Sequence, residues 1–97
     1  MKARAVSVQI QPGKMNTAID IYRDSIVPAG SQLKGFKGAL LLTDPTTGKA
    51  LSIGLWETEA DMTAGEASGY FQEQLAKLGA VLAAPPVRDH YEVSVQR

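Results

Sequence analysis

The sequence predicts an α+β fold, a four-stranded antiparallel sheet with two helices on one face, and three observations carry that prediction. The stretch Gly35 to Thr58, GFKGALLLTDPTTGKALSIGLWET, reads as two strands joined by a tight turn and running directly into a helix. Ahead of it, Met15, Ala18, Ile19, Tyr22 and Ile26 recur at i, i+3, i+4, i+7 and i+11, the spacing of one helical face. Behind it, a capped helical segment leads into an alternating C-terminal run. The order is therefore βαββαβ.

The first strand is expected over residues 4 to 10, with Val6, Val8 and Ile10 pointing one way and Ala5, Ser7 and Gln9 the other; Pro12 and Gly13 end it. The first helix, residues 14 to 26, carries Asp20, Arg23 and Asp24 on its solvated side. It is expected to stop at or before Val27, because the residue preceding Pro28 is pushed out of the helical region.

The hairpin strands are expected at residues 36 to 43 and 49 to 57. Asp44 can bond the backbone ahead of it, Pro45 presets φ for a type I turn, and Gly48 can take the left-handed position that closes the loop. Ala39, Leu40, Leu41 and Leu42 form an unbroken apolar run that wants both faces covered, and parity alone does not say which of Leu40 and Leu41 faces outward. Leu51, Ile53 and Leu55 alternate with Ser52, Gly54 and Trp56.

Thr58, Glu59, Ala60 and Asp61 resemble a capping box, so a helix begins there and extends over residues 59 to 79. Gly65 and Gly69 weaken its middle by about 1 kcal/mol each against alanine, and Ser68 reads as a fresh N-cap, so a bend is expected there. Phe71, Leu75, Leu78 and Leu82 form the apolar stripe of the second half. The last strand, residues 87 to 95, alternates Asp89, Tyr91, Val93 and Val95 with Arg88, His90, Glu92 and Ser94.

Composition narrows the function classes. The 97 residues make one domain, and ten basic and ten acidic side chains cancel, so neither a nucleic-acid footprint nor attraction to an anionic membrane is supported. The absence of cysteine removes disulfides, thiol nucleophiles and cysteine metal sites together. A single histidine, His90, has no partner at ligand spacing, so no metal site is expected. No segment approaches a membrane span or a signal h-region, and a cytoplasmic protein is the expectation.

Right-handed crossovers place both helices on one side of the sheet, the ferredoxin-like plan, and leave the other side bare. Four strands present on the order of 350 Å² in projection there. A bare face lined by the 39 to 42 run and Trp56 predicts a homodimer whose two sheets pack face to face, with Trp56 as an interface anchor.

The residues that carry this plan resemble those of a known family. GFKGALLLTDPTTGKALSIGLWETEADM, with Tyr70 and Phe71 following, is similar to the dimeric α/β-barrel superfamily, and within it the antibiotic-biosynthesis-monooxygenase-like domains. The specific part is short: Gly35-Phe36, the Asp44-Pro45 turn with Gly48, and Leu55-Trp56-Glu57. The resemblance implies a dimeric α/β barrel, a single domain over residues 1 to 97, and a cofactor-independent monooxygenase or oxidase of a small aromatic or quinol-type molecule. Haem degradation is not implied. Its relatives place asparagine, tryptophan and histidine near positions held here by Val6, Gly65 and Leu75.

The pocket of that architecture lies between sheet and helices. Its expected lining is Val6, Val8, Leu55 and Phe71 for substrate binding, with Tyr22 and Tyr91 as orienting groups, each of which is also ordinary core filling. His90 has the opposite parity from Tyr91 and is expected to face the sheet-to-sheet interface, either as a general base or as an interface histidine. Asp89 is the main ionisable group expected on the helix-facing side. Two functions follow: a cofactor-free oxygenase, in which Tyr22, Tyr91 or His90 orients the substrate, and a non-catalytic ligand-binding or stress-associated dimer.

Overall fold

The computed structural model describes residues 1 to 97. The strands are β1 (Lys2–Gln9), β2 (Phe36–Asp44), β3 (Lys49–Trp56) and β4 (Val87–Glu92). They form one antiparallel sheet in the order β2-β3-β1-β4. The helices, α1 (Met15–Ile21), α2 (Val27–Gly30), α3 (Glu59–Ala67) and α4 (Tyr70–Gly79), cover one face of it. The ferredoxin-like plan is therefore the observed one. Only 14 of 97 residues are buried, as expected of two layers with one sheet face uncovered.

Local chemistry explains the turns. The Gly48 N–H donates to the Asp44 carbonyl at 2.8 Å, the Thr46 N–H donates to Asp44 Oδ1 at 3.0 Å, and Gly48 takes φ +77°. The Asp61 N–H donates to Thr58 Oγ1 at 3.1 Å, so Thr58 caps α3 as its sequence requires. Gly69, at φ +88°, makes the bend between α3 and α4 and is itself the N-cap of α4, in place of the expected Ser68, which ends α3 and donates its hydroxyl to the Gly65 carbonyl at 2.7 Å.

The first helix departs from expectation. It does not stop before Pro28: a π-helical turn (Tyr22–Ile26) joins α1 to α2, and the Val27 N–H donates to the Tyr22 carbonyl five residues back. Proline is excluded from helix interiors because its ring meets the carbonyl four residues back and its nitrogen has no hydrogen to donate. The wider π turn opens the backbone just where that ring arrives, and Val27 keeps helical angles.

Parity across the sheet decides what faces what. Arg4, Val6 and Val8 on β1, Ala39 and Leu41 on β2, and Ala50, Ser52, Gly54 and Trp56 on β3 lie under the helices. On the uncovered face, Leu40 and Leu42 of β2 are 52% and 51% exposed, and Leu51, Ile53 and Leu55 of β3 lie beside them. Leu40 is thus the outward member of the Leu40-Leu41 pair. Ile10, Ala18, Ala50 and Val81 form a buried apolar cluster, with Met15, Leu41 and Leu78 packed against it.

Candidate functional site

A cavity of about 70 Å³ runs between the sheet and the helices, and most of its lining is hydrophobic. Val6, Val8, Tyr22 and Phe71, expected there from the sequence, do line it.

Four expected placements are corrected. Tyr91 pairs with Ala3 and is 55% exposed on the uncovered face, and Leu55, also opposite Ala3, lies on that face too. His90 pairs with Arg4, so it faces the helices rather than the open side, and its Nε2 lies 3.1 Å from Glu66 Oε1. The strand ends at Glu92, so Val93 and Val95 lie beyond it. Asp89, opposite Ala5, falls on the open face, whereas Arg88 approaches Glu66 and Phe71.

Trp56 is the largest displacement from expectation. It is 1% exposed and sits beneath α3, not at the open face. Small residues admit it: a Cβ on Gly65 of α3 would come within 3.2 Å of its ring, and one on Gly54 within 3.4 Å of its Nε1. Phe36 meets it edge to face with centroids 5.6 Å apart. Its Nε1 has no hydrogen-bond partner, and neither does Oε1 of the buried Gln74, another lining residue. Because an amide can be turned over, Gln74 offers the cavity either an oxygen or an NH₂ group.

The tyrosines are held in place by hydrogen bonds. Tyr22 donates its hydroxyl to the Leu40 carbonyl at 3.1 Å and accepts from Ser52 Oγ at 3.2 Å; Tyr70 donates to the Ile26 carbonyl at 3.0 Å. Burial pushes both hydroxyls above their ordinary pKa, with the Ser52 bond to Tyr22 and the Arg4 charge pulling the other way. Both therefore work as neutral donors near pH 7, not as bases.

One polar cluster escaped the sequence reading. Arg4 Nη1 donates to Glu66 Oε1 at 3.2 Å, Arg88 Nη1 lies 3.7 Å from the same oxygen, and His90 completes the set. Arg4 also lies over the Phe71 ring at 4.4 Å and the Trp56 ring at 5.6 Å. The signal was present, since Arg4 shares parity with Val6 and Val8, but a charge at a strand start reads as solvent-facing. Tyr70, Gln74 and Ser52 gave no such signal. No cluster of three or more acidic or histidine side chains lies close enough to hold a metal ion, and no helix is long and apolar enough to cross a membrane.

Solved structures share this architecture from end to end. An antibiotic biosynthesis monooxygenase superposes with a TM-score of 0.75 over 95% of this chain and 97% of its own, at 17% identity. A point variant of SnoaB, a cofactor-independent oxygenase from Streptomyces nogalater, does so at 0.80 over 98% and 94%, at 10% identity. The chain has the antibiotic-biosynthesis-monooxygenase-like fold. A protein of unknown function from Nitrosomonas europaea superposes with a TM-score of 0.80 over 99% of this chain and 91% of its own, at 18% identity. No protein-family model matches the sequence. Over 62 residues, 64% of this chain, it is 32% identical to an uncharacterized protein of Mycobacterium tuberculosis, alike in strains CDC 1551 and H37Rv. The chain spans about a quarter, 26%, of that protein's length.

Proposed function

We propose that this chain is a cytoplasmic, homodimeric protein of the monooxygenase-like fold that binds a small aromatic or quinol-type molecule between sheet and helices. We further propose that it oxidises this molecule with molecular oxygen and no bound cofactor. The observation that carries the reading is an apolar cavity among whose lining residues two buried polar atoms, Trp56 Nε1 and Gln74 Oε1, have no hydrogen-bond partner. Such groups are rare in a finished core, and a ligand with one acceptor and one donor would satisfy both. Tyr22 and Phe71 then form the aromatic walls, with Val6 and Val8 beneath. The oxygenase character of SnoaB supports the chemistry by likeness of fold alone.

One observation favours the second reading, a ligand-binding dimer without turnover. The cavity's 70 Å³ is about half the size of one known to hold benzene, so a ring enters only if the lining gives way. Native mass spectrometry of the purified protein, followed by oxygen-uptake assays on quinols, separates the two. Uptake with stoichiometric product supports the oxygenase; a co-purified ligand that is never consumed supports the binder.

The second copy belongs on the uncovered sheet face. Leu40, Leu42, Leu51, Ile53 and Leu55 make it apolar, Asp89 is the acid at its β4 edge, and a net charge of zero does little to keep copies apart. A two-fold axis through this face closes the two sheets into a barrel.

A further inference from the structure

We propose that the gap over Gly54 is a subsite for an anionic oxygen, so that the cavity takes its aromatic ligand as the phenolate and not as the neutral phenol. The inference rests on the reading of the cavity as a small-aromatic site and narrows the ligand class within it.

Three observations converge on that gap. A Cβ placed on Gly54 would stand 3.4 Å from Trp56 Nε1 and 4.0 Å from Arg4 Nη2, so two N–H-bearing nitrogens flank one space that the glycine leaves unfilled. Both nitrogens are open to a ligand. Trp56 Nε1 is buried without a partner, and Arg4 bonds Glu66 through Nη1. The charges around Arg4 do not balance. Glu66 is the one carboxylate facing two guanidinium groups, Arg4 at 3.2 Å and Arg88 at 3.7 Å, with the His90 ring at 3.1 Å.

A single anionic oxygen answers all three. It would accept from the indole N–H, pair with the second arm of a largely buried guanidinium, and supply the missing negative charge in a site where water screens little. The rest of the lining selects against a phosphate or a dicarboxylate. Beyond this one corner it is chiefly aliphatic and aromatic, which fits one charged oxygen on an apolar ring. Arg4 reaches the remainder of the cavity as well, since its charge acts on both Tyr22 and Tyr70.

p-Nitrophenol tests this on the full chain, because its ionisation lies near neutral pH and its anion is yellow. p-Nitrotoluene serves as the neutral analogue of similar shape. Binding of each is read by quenching of Trp56, the single tryptophan. The expected result is that p-nitrophenol binds and that its ionisation midpoint falls by about one pH unit on saturation, a roughly tenfold preference for the anion. Arg4→Met should abolish that shift, and so should Gly54→Ala, which fills the gap and leaves every charge in place. Should Arg4→Met fail to fold, the wild-type titration and Gly54→Ala still decide. Equal binding of the two probes with no shift of midpoint overturns the subsite and leaves the aromatic site standing. No binding of either probe overturns both.

Discussion

Tyr22 shows how one hydroxyl can serve packing and recognition at once. It joins the π-helical turn to two strands, donating to the Leu40 carbonyl of β2 and accepting from Ser52 of β3. Tyr22→Phe leaves that carbonyl and the Ser52 hydroxyl without their partner, and should lower stability by about 1 kcal/mol in urea unfolding. In the proposed site it should also weaken ligand binding, while Tyr91→Phe, on the opposite face, should leave affinity for a cavity ligand unchanged. A loss in the Tyr91 variant equal to that in Tyr22 would remove the assignment. Both cavity tyrosines hold their protons above the ordinary value of 10.0, burial being the largest cause. For such groups the native state binds more protons than the unfolded chain as pH climbs past 10. Their contribution is therefore whole below that pH and is lost as pH rises through the higher folded values. Thermal midpoints measured from pH 9 to 12 should fall above about pH 10, and the fall should be shallower in Tyr22→Phe.

At the scale of elements, the glycines of the two C-terminal helices separate propensity from packing. Gly65 of α3 is buried with its Cβ position 3.2 Å from the Trp56 ring and 3.5 Å from Leu33, whereas Gly79, at the end of α4, has open space around it. Alanine gains about 1 kcal/mol over glycine in a helix interior. That gain should appear at Gly79→Ala as a modest stabilisation, about 0.5 kcal/mol. At Gly65→Ala it should be outweighed, because a fully buried indole cannot step aside, and a net loss of about 1 kcal/mol or more is expected. Chemical denaturation of the two variants side by side checks the sign of each. The bend near Ser68 and the cap at Thr58 were legible in the sequence because each follows from one or two residues acting locally, although Gly69 and not Ser68 begins α4. The π turn was not legible, since the helical stripe through Ile26 reads the same with or without one extra residue in the turn, and Pro28 read as a stop.

At the scale of the molecule, two neighbouring leucines should fail in different ways. Leu40 is exposed on the uncovered face and Leu41 packs against the core. Leu40→Lys should give a folded monomer, whereas Leu41→Lys should lose folded structure, as circular dichroism and sedimentation together would show. The wild-type interface should exceed about 1,000 Å². A wild-type chain that stays folded and monomeric at micromolar concentration would contradict the dimer. What the sequence by itself determined is the order of elements, the hairpin turn, the cap, the bend and the set of side chains sharing each strand face, because period, turn chemistry and capping are short-range. Tertiary structure alone decided which of the two faces lies under the helices, since the alternation of a strand is the same in either phase. On β1 the aliphatic residues Val6 and Val8 turn inward; on β3 Leu51, Ile53 and Leu55 turn outward, and the inner positions go to Ser52 and Gly54. Those small residues, with Gly65 above them, make the space that Trp56 enters and the gap that it shares with Arg4. Cross-strand register then carries His90 to the helix side and Tyr91 to the open face, a consequence of pairing across 86 to 88 residues of chain that no local pattern contains.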